Sequence, residues 1–263
     1  MKKILLILLG GLLLFTGCLG GKTTLDMAND LEKQEGDYLS TTDNYYNPFR
    51  KEFIKDKVSG LLSVAVYDFN GDKKDDVLVS KAIDNNIVFE LYKKEDDNLK
   101  KVNSLIVLED YLNFPDTIYL DCFMKKVDGK PYVFVESTTY SNLIGDGIGW
   151  EVKKIGFDND KIIDFLDESF NGSYFDNETI IEKSATIKHM GLEIEKVSFE
   201  EDGKSLFEQN KKNSVMMFQI KREHLKDFDY SIYDDSVETK VKYGITEYTN
   251  NLKDNKEIET YLK

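Results

Sequence analysis

Leu61-Leu62-Ser63-Val64-Ala65-Val66-Tyr67, Asp68-Phe69-Asn70-Gly71-Asp72-Lys73-Lys74-Asp75-Asp76 and Val77-Leu78-Val79 form one continuous stretch, an acidic loop between two apolar runs. β-Branched and aromatic residues on either side of an Asp/Asn/Gly cluster predict a β-hairpin. The loop sets oxygen-bearing groups at its positions 1, 3, 5 and 9. A tight loop turns successive side chains in and out, so Asp68, Asn70 and Asp72 converge on one point while the even positions face away. The carbonyl of Lys74 would add position seven, and Asp76 would close the set. Gly71 lets the backbone bend where a Cβ is unfavourable. Hard oxygen donors of this kind suit Ca2+, which takes roughly six to eight oxygens, waters included. Asp68, Asp72, Asp75 and Asp76 against Lys73 and Lys74 leave the loop a formal charge of −2, enough to attract one divalent ion. The same cluster also suits a plain solvated hairpin loop, and both readings stand at this level. An affinity on the order of 0.1–1 mM is expected, as for extracellular modules.

An EF-hand is excluded, because that motif needs glycine at position six and a bidentate Glu at position twelve. Lys73 and Val79 stand there instead. From Leu61 to Lys81 the stretch resembles the aspartate-rich loop of FG-GAP and VCBS-type repeats, the calcium-binding hairpins of integrin-like β-propellers. It is most similar to the single-loop version found in secreted or lipid-anchored proteins of Gram-positive bacteria. The resemblance implies a structural calcium ion held by Asp68, Asn70, Asp72, the Lys74 carbonyl and Asp76. One departure is Lys73, where the pattern carries a glycine; lysine adopts positive φ only at some energetic expense.

Met1-Lys2-Lys3 followed by the apolar run Ile4 to Phe15 and by Thr16-Gly17-Cys18 reads as a secretory signal. The run is too short for the roughly 20 residues of a membrane span. It resembles a bacterial lipoprotein signal, which implies that residues 1–17 are removed and that Cys18 becomes the acylated N-terminus. The expected location is the outer face of the cell membrane, held by lipid. Loss of two lysines and no acid moves the formal charge from −14 to −16. An acidity of that size argues against nucleic acid and against electrostatic adhesion to anionic lipid. With Cys18 acylated, only Cys122 remains, so no intramolecular disulfide forms. Alternation in Thr117–Met124 assigns Cys122 to a buried strand position.

Residues 18–46 are polar and poor in large aliphatics, and read as a tether from the membrane to the folded part. Gly20-Gly21-Lys22-Thr23 mimics the end of a phosphate-binding loop, but no strand precedes it. Asn47-Pro48-Phe49 predicts a short helix with Asn47 as N-cap, ending at Gly60. From Leu61 the signals are β. Strands are predicted at Leu61–Tyr67, Val77–Lys81, Asn86–Lys93, Lys101–Leu108, Thr117–Val127, Tyr132–Thr139, Ile148–Phe157 and Lys161–Phe165, with turns at Asp84–Asn86, Asp96–Asn98, Asp128–Lys130 and Asp158–Asp160. Residues 47–171 thus make a β-rich domain, and residues 172–263 a continuation or a second small α+β subdomain. In the latter, Ser184–Glu195 reads as a broken strand, Lys204–Lys211 as a short helix, Ser214–Lys221 as a strand, Arg222–Phe228 as a helical turn, Val237–Tyr248 as a strand and Asn255–Leu262 as a charged terminal helix or a frayed tail. The fold expected is mainly β (β-rich α+β), a twisted antiparallel meander or sandwich with a few short helices. A complete propeller is excluded, since one loop in such a length cannot mark several blades.

A second candidate site is the glycine-rich stretch Tyr140–Trp150, where Asn142, Asp146 and the only tryptophan, Trp150, would line a ligand loop for sugar or peptide. A turn between two strands, with Trp150 packing inward, explains the same residues. Asp227–Asp235 echoes the oxygen spacing of the first loop but lacks glycine. His189 and His224 have no metal spacing, and neither a nucleophile elbow nor a metalloprotease motif is present. The reading that follows is a non-enzymatic surface lipoprotein whose calcium-steadied β domain binds an extracellular protein or glycan. The alternative is a cell-envelope hydrolase acting on glycan or wall polymer with scattered carboxylates. A solute-binding lipoprotein fits less well, because no βαβ alternation occurs.

Overall fold

The computed structural model describes residues 21–40, 42–47, 52–53, 58–109, 117–141, 147–166, 170–173, 187–194, 205–224, 239–245 and 254–262. The signal segment with Cys18, the Asp227–Asp235 loop, and Asn142 and Asp146 lie outside them. The described chain runs through helix α1 (Thr24–Glu35), strands β1 (Thr42–Asn47), β2 (Glu52–Phe53), β3 (Gly60–Tyr67), β4 (Asp76–Ile83), β5 (Asn86–Glu95), β6 (Asn98–Leu108), β7 (Thr117–Val127), β8 (Lys130–Ser141), β9 (Gly147–Asp158), β10 (Lys161–Asp164) and β11 (Phe170–Ser173), then helix α2 (Leu206–Asn210), strands β12 (Ser214–His224) and β13 (Thr239–Ile245), and helix α3 (Asn255–Tyr261).

The strands form two antiparallel sheets. The smaller is a meander, β3-β4-β5-β6; the larger follows the order β10-β9-β8-β7-β12-β13-β1-β2, with β11 also on β9. Turn chemistry sets the meander. At the β4–β5 turn Asp84 and Asn85 both have positive φ (50° and 72°), as do Asp128 and Gly129 at the β7–β8 turn (50° and 77°), the conformation that Asp and Asn tolerate and a two-residue hairpin demands. The architecture is the mainly β arrangement expected, neither a closed barrel nor a propeller.

Alternation along the strands builds the core between the sheets. Leu62, Leu78, Phe89 and Leu91 of the small sheet meet Leu120, Cys122, Val133, Val135, Ile155 and Phe218 of the large one, all buried. The outer faces are covered too. Ala28, Leu25 and Leu31 of α1 lie on Val64, Val66, Val77 and Val79. On the large sheet, Ile187, Met190, Leu192 and the α2 residues Leu206 and Phe207 cover Phe123, Phe134 and Met216. β3 and β4 are therefore buried on both faces, which is why they read as near-continuous hydrophobic runs.

Four local expectations are corrected. The stretch 18–46 is not simply a tether: Thr24–Glu35 is a helix opened by a capping box between Thr23 and Asp26, with Asp26 N–H donating to Thr23 Oγ1 at 3.1 Å and Thr23 N–H to Asp26 Oδ2 at 3.0 Å. A few apolar residues at helical spacing suffice because a sheet face is waiting for them. Downstream, Leu39 N–H donates to Leu61 O at 2.8 Å and Leu61 N–H to Asp37 O at 3.0 Å. The approach is close enough that a Cβ on Gly60 would lie 3.0 Å from the Leu39 backbone. Where a helix N-cap was expected, Asn47 ends β1 and pairs with Glu52 of β2, so that Glu52–Phe53 of the predicted helix is extended; residues 48–51 and 54–57 lie outside the described residues. Extended backbone before Pro48 serves an N-cap and a strand end equally, and pairing of β1 with β13 decides. Within Ser184–Glu195, residues 187–189 are helical, not extended, so that Ile187 and Met190 both reach the sheet. Arg222 to His224 continue β12, pairing with Tyr243 to Val241 of β13. Because β12 also pairs with β7, β12 and β13 belong to the large sheet together with β7 to β10.

Candidate metal centre

The β3–β4 hairpin places the acidic loop at the end of the small sheet. Tyr67 and Asp76 are its last pair, and the loop between them is wound around Asp68. Asp68 Oδ1 accepts the backbone N–H of Gly71 at 2.7 Å and of Asp72 at 3.0 Å, while Oδ2 accepts that of Lys73 at 2.9 Å. Asn70 Oδ1 accepts Asp72 N–H at 2.9 Å, and Asp72 Oδ1 accepts Lys74 N–H at 2.8 Å. Asp68, Asn70 and Asp72 thus each turn a side-chain oxygen back onto the loop's own backbone N–H groups. Gly71 and Lys73 supply the left-handed backbone, with φ of 79° and 68°. Lys73 therefore holds the conformation for which the resembled pattern uses glycine.

Even positions point elsewhere. Phe69 is only 1% exposed and packs on Phe157 of β9, ring centroids 4.7 Å apart, and on Tyr67 at 5.6 Å. Asp75 accepts a hydrogen bond from Asn255 Nδ2 of α3 at 2.6 Å. The loop is accordingly docked on the large sheet and on α3. Asn70 Nδ2 completes the docking by donating to the Asn159 carbonyl in the β9–β10 turn at 3.2 Å.

Asp76 is the unusual member. It is 2% exposed, and its Oδ2 has no hydrogen-bond donor. The nearest cation is Lys93 of β5, with Nζ 3.9 Å from Asp76 Oδ1, 3.8 Å from Asp72 Oδ2 and 2.8 Å from Asp160 Oδ1. Burial, with the neighbouring charges of Asp72, Asp68 and Asp160, raises the Asp76 carboxyl to about 7; Lys93 opposes the rise but does not cancel it. For Asp72, burial pushes upward, but the Lys74 N–H, the Asn70 amide and Lys93 outweigh it and the net direction is down. Burial likewise disfavours charge on Lys93, and Asp160, Asp76 and Asp72 together reverse that, raising its pKa.

Of the residues singled out from the sequence, Asp68, Asn70 and Asp72 share the hydrogen bonds of one loop, and Asp72 and Asp76 meet the same ammonium, that of Lys93. Lys93, Asp160 and the Asn159 carbonyl join them without having been expected. Lys93 was within reach of reasoning: a turn at Asp84–Asn85 fixes the β4–β5 register, and one step beyond the Val77–Tyr92 pair lies Asp76 beside Lys93. Asp160 carried no such signal, because its approach depends on how the two sheets pack.

Among the described residues, no group of three or more His, Cys, Asp or Glu side chains stands gathered as a finished metal cage. The loop carboxylates are spent partly on backbone N–H groups. The donor chemistry is nevertheless of the kind a divalent ion takes. The groups are hard oxygens, the ligands Ca2+ requires, and Asp76 Oδ2 is a buried oxygen with no protein donor, which a cation, a proton or a water would satisfy.

Trp150 lies in β9, its backbone paired with Thr138 and Gly172. Cys122 is fully buried, and burial pushes its thiol well above the ordinary range, which removes the thiolate a nucleophile needs. Asp121 and Glu136 face each other across β7 and β8, both buried. Gln219 donates to Asp121, and the Leu206 N–H donates to both oxygens of Glu136 at 3.0 and 2.8 Å, so this pair anchors α2. Among the described residues, no helix is long and apolar enough to cross a membrane. No protein family, no curated protein and no solved structure matches the chain.

Proposed function

We propose that this chain is a surface-anchored extracytoplasmic lipoprotein, a non-enzymatic binding module whose β-sandwich is steadied by a structural calcium ion at the Asp68–Asp76 hairpin. The observation that carries the metal is Asp76, a buried carboxylate with a donorless oxygen at the closing position of an oxygen-rich loop. Asp68, Asn70, Asp72 and the Lys74 carbonyl would hold the ion with it. The lipid anchor rests on the Met1–Cys18 segment, and its partner is an extracellular protein or glycan, given a body too acidic for nucleic acid.

Calcium that binds only the folded chain stabilises it by linkage, by about 1.4 kcal/mol when the free ion is tenfold above its dissociation constant. Millimolar calcium should raise the melting temperature, and Asp72→Ala should abolish the rise. A wild-type melt that is identical in calcium and in EDTA removes the metal from the account. The anchor is tested separately: a fatty-acid label should attach to the wild type and not to Cys18→Ala. Pull-down from surface extracts with and without calcium then identifies the partner.

A further inference from the structure

The hairpin holds a cation of its own. Lys93 reaches from β5 into the acidic loop, and its ammonium is not shared evenly. It makes a short ion pair with Asp160 at 2.8 Å, while Asp72 and Asp76 stand at 3.8 and 3.9 Å. Lys93 is largely covered, with a side chain 20% exposed, whereas that of Asp160 is 63% exposed. Asp160 is therefore a solvated partner that draws the ammonium away from the two loop carboxylates. Asp76, nine-tenths buried and more, keeps one oxygen that the ammonium does not reach.

We propose that Lys93 is the displaceable counter-cation of this site, its ammonium competing with a divalent ion for Asp72 and Asp76, and that Asp160 is the resting place of the ammonium when the ion is bound. This rests on the calcium reading above. The chemistry is that of a point charge on a flexible four-carbon stem, which swings between carboxylates a few ångströms apart without moving the backbone. Without the ion, Lys93 keeps Asp72 and Asp76 from repelling each other. With the ion, its positive charge adjoins a divalent cation and is tolerated only because Asp160 compensates it. The ammonium sets the affinity, and the second sheet sets the ammonium.

Calcium affinity measured by isothermal titration calorimetry on the purified wild type, Lys93→Met, Asp160→Asn and the double variant tests this. Removing a unit charge near the ion should tighten calcium binding by about tenfold in Lys93→Met. Asp160→Asn, a change at an exposed side chain, should weaken it by about threefold by releasing the ammonium onto Asp72 and Asp76. The double variant should match Lys93→Met, because without the ammonium Asp160 has nothing to hold. Equal affinities in wild type and Lys93→Met overturn the competition and leave the calcium reading intact. Weakening by Asp160→Asn that persists in the Lys93→Met background makes Asp160 an ion ligand and overturns its resting role. Binding seen in Lys93→Met but not in the wild type upholds the competition and defeats calcium as the native occupant. Absence of binding in both defeats the two together.

Discussion

Two carboxylates on the small sheet are buried to nearly the same degree and behave in opposite ways. Asp76 is 2% exposed on the face toward the large sheet, and Glu90 is 5% exposed on the face toward α1. Asp76 has one distant ammonium and a donorless oxygen. Glu90 is paired by Lys81 at 2.6 Å and Lys101 at 2.8 Å, and accepts the Tyr92 hydroxyl at 2.8 Å. Burial raises both, but at Glu90 the two lysines and the tyrosine reverse it and the net direction is down, whereas Asp76 is left at about 7. Burial alone therefore says little; the count of partners decides. Glu90 belongs to a finished network that also ties Lys81 to Glu35 of α1. Asp76 belongs to an unfinished one, and its deficit is what marks a site.

The largest expected effect comes from breaking the finished network. Glu90→Ala leaves Lys81 buried with one carboxylate partner fewer and Tyr92 without its nearest acceptor, and should lower the unfolding free energy by about 3 kcal/mol, read from urea denaturation. The same experiment on Asp76→Asn should run the other way. Removing a poorly compensated buried charge is expected to raise calcium-free stability at pH 8 by about 1 kcal/mol, while abolishing any gain from calcium.

The pH dependence separates the two groups by sign. Asp76 is raised from 3.8 to about 7 in the folded chain, so between those values the folded state binds more protons than the unfolded one. Its contribution to stability is present at low pH and is lost as pH rises toward 7. Glu90 is lowered below its usual 4.5, so its contribution is present above that value and is lost as pH falls through the depressed pKa. In calcium-free buffer, the urea midpoint should therefore decline from about pH 5 to pH 7 in the wild type and decline less steeply in Asp76→Asn, where the raised Glu151 and Asp121 carboxyls remain, with the acid limb preserved. A wild-type midpoint that does not decline would place Asp76 among the well-partnered carboxylates. The smallest expected effect is at Lys73: replacing a residue at φ 68° by glycine, Lys73→Gly, should add about 0.5 kcal/mol.

The sequence made the hairpins legible because turn chemistry is local. Asp84-Asn85, Asp128-Gly129 and the Asp68–Asp76 loop each carry their own backbone instructions, and the strands around them follow. Elements whose conformation depends on a distant partner were not legible in the same way. Thr24–Glu35 is too polar to look like a packed helix until the outer face of β3 and β4 is placed under it. Asn47 carries a signal common to a helix cap and a strand end, and β13, nearly two hundred residues away, chooses between them. The site divides along the same line. Its oxygen spacing is a property of nine consecutive residues, whereas the contacts of Asn70 with Asn159 and of Lys93 with Asp160 arise only when the two sheets close on each other.

The incompleteness of Asp76 is tested most directly by titrating the 15N-labelled protein with calcium and following its amide resonances. Saturable shifts should appear at Gly71, Lys73 and Lys74, and at Asn159 and Asp160 across the sheet boundary, with a single dissociation constant on the order of 0.1–1 mM. Spectra that stay unchanged up to calcium concentrations on the order of 10 mM, well beyond the weakest extracellular sites, would contradict the account and leave the hairpin an acidic turn.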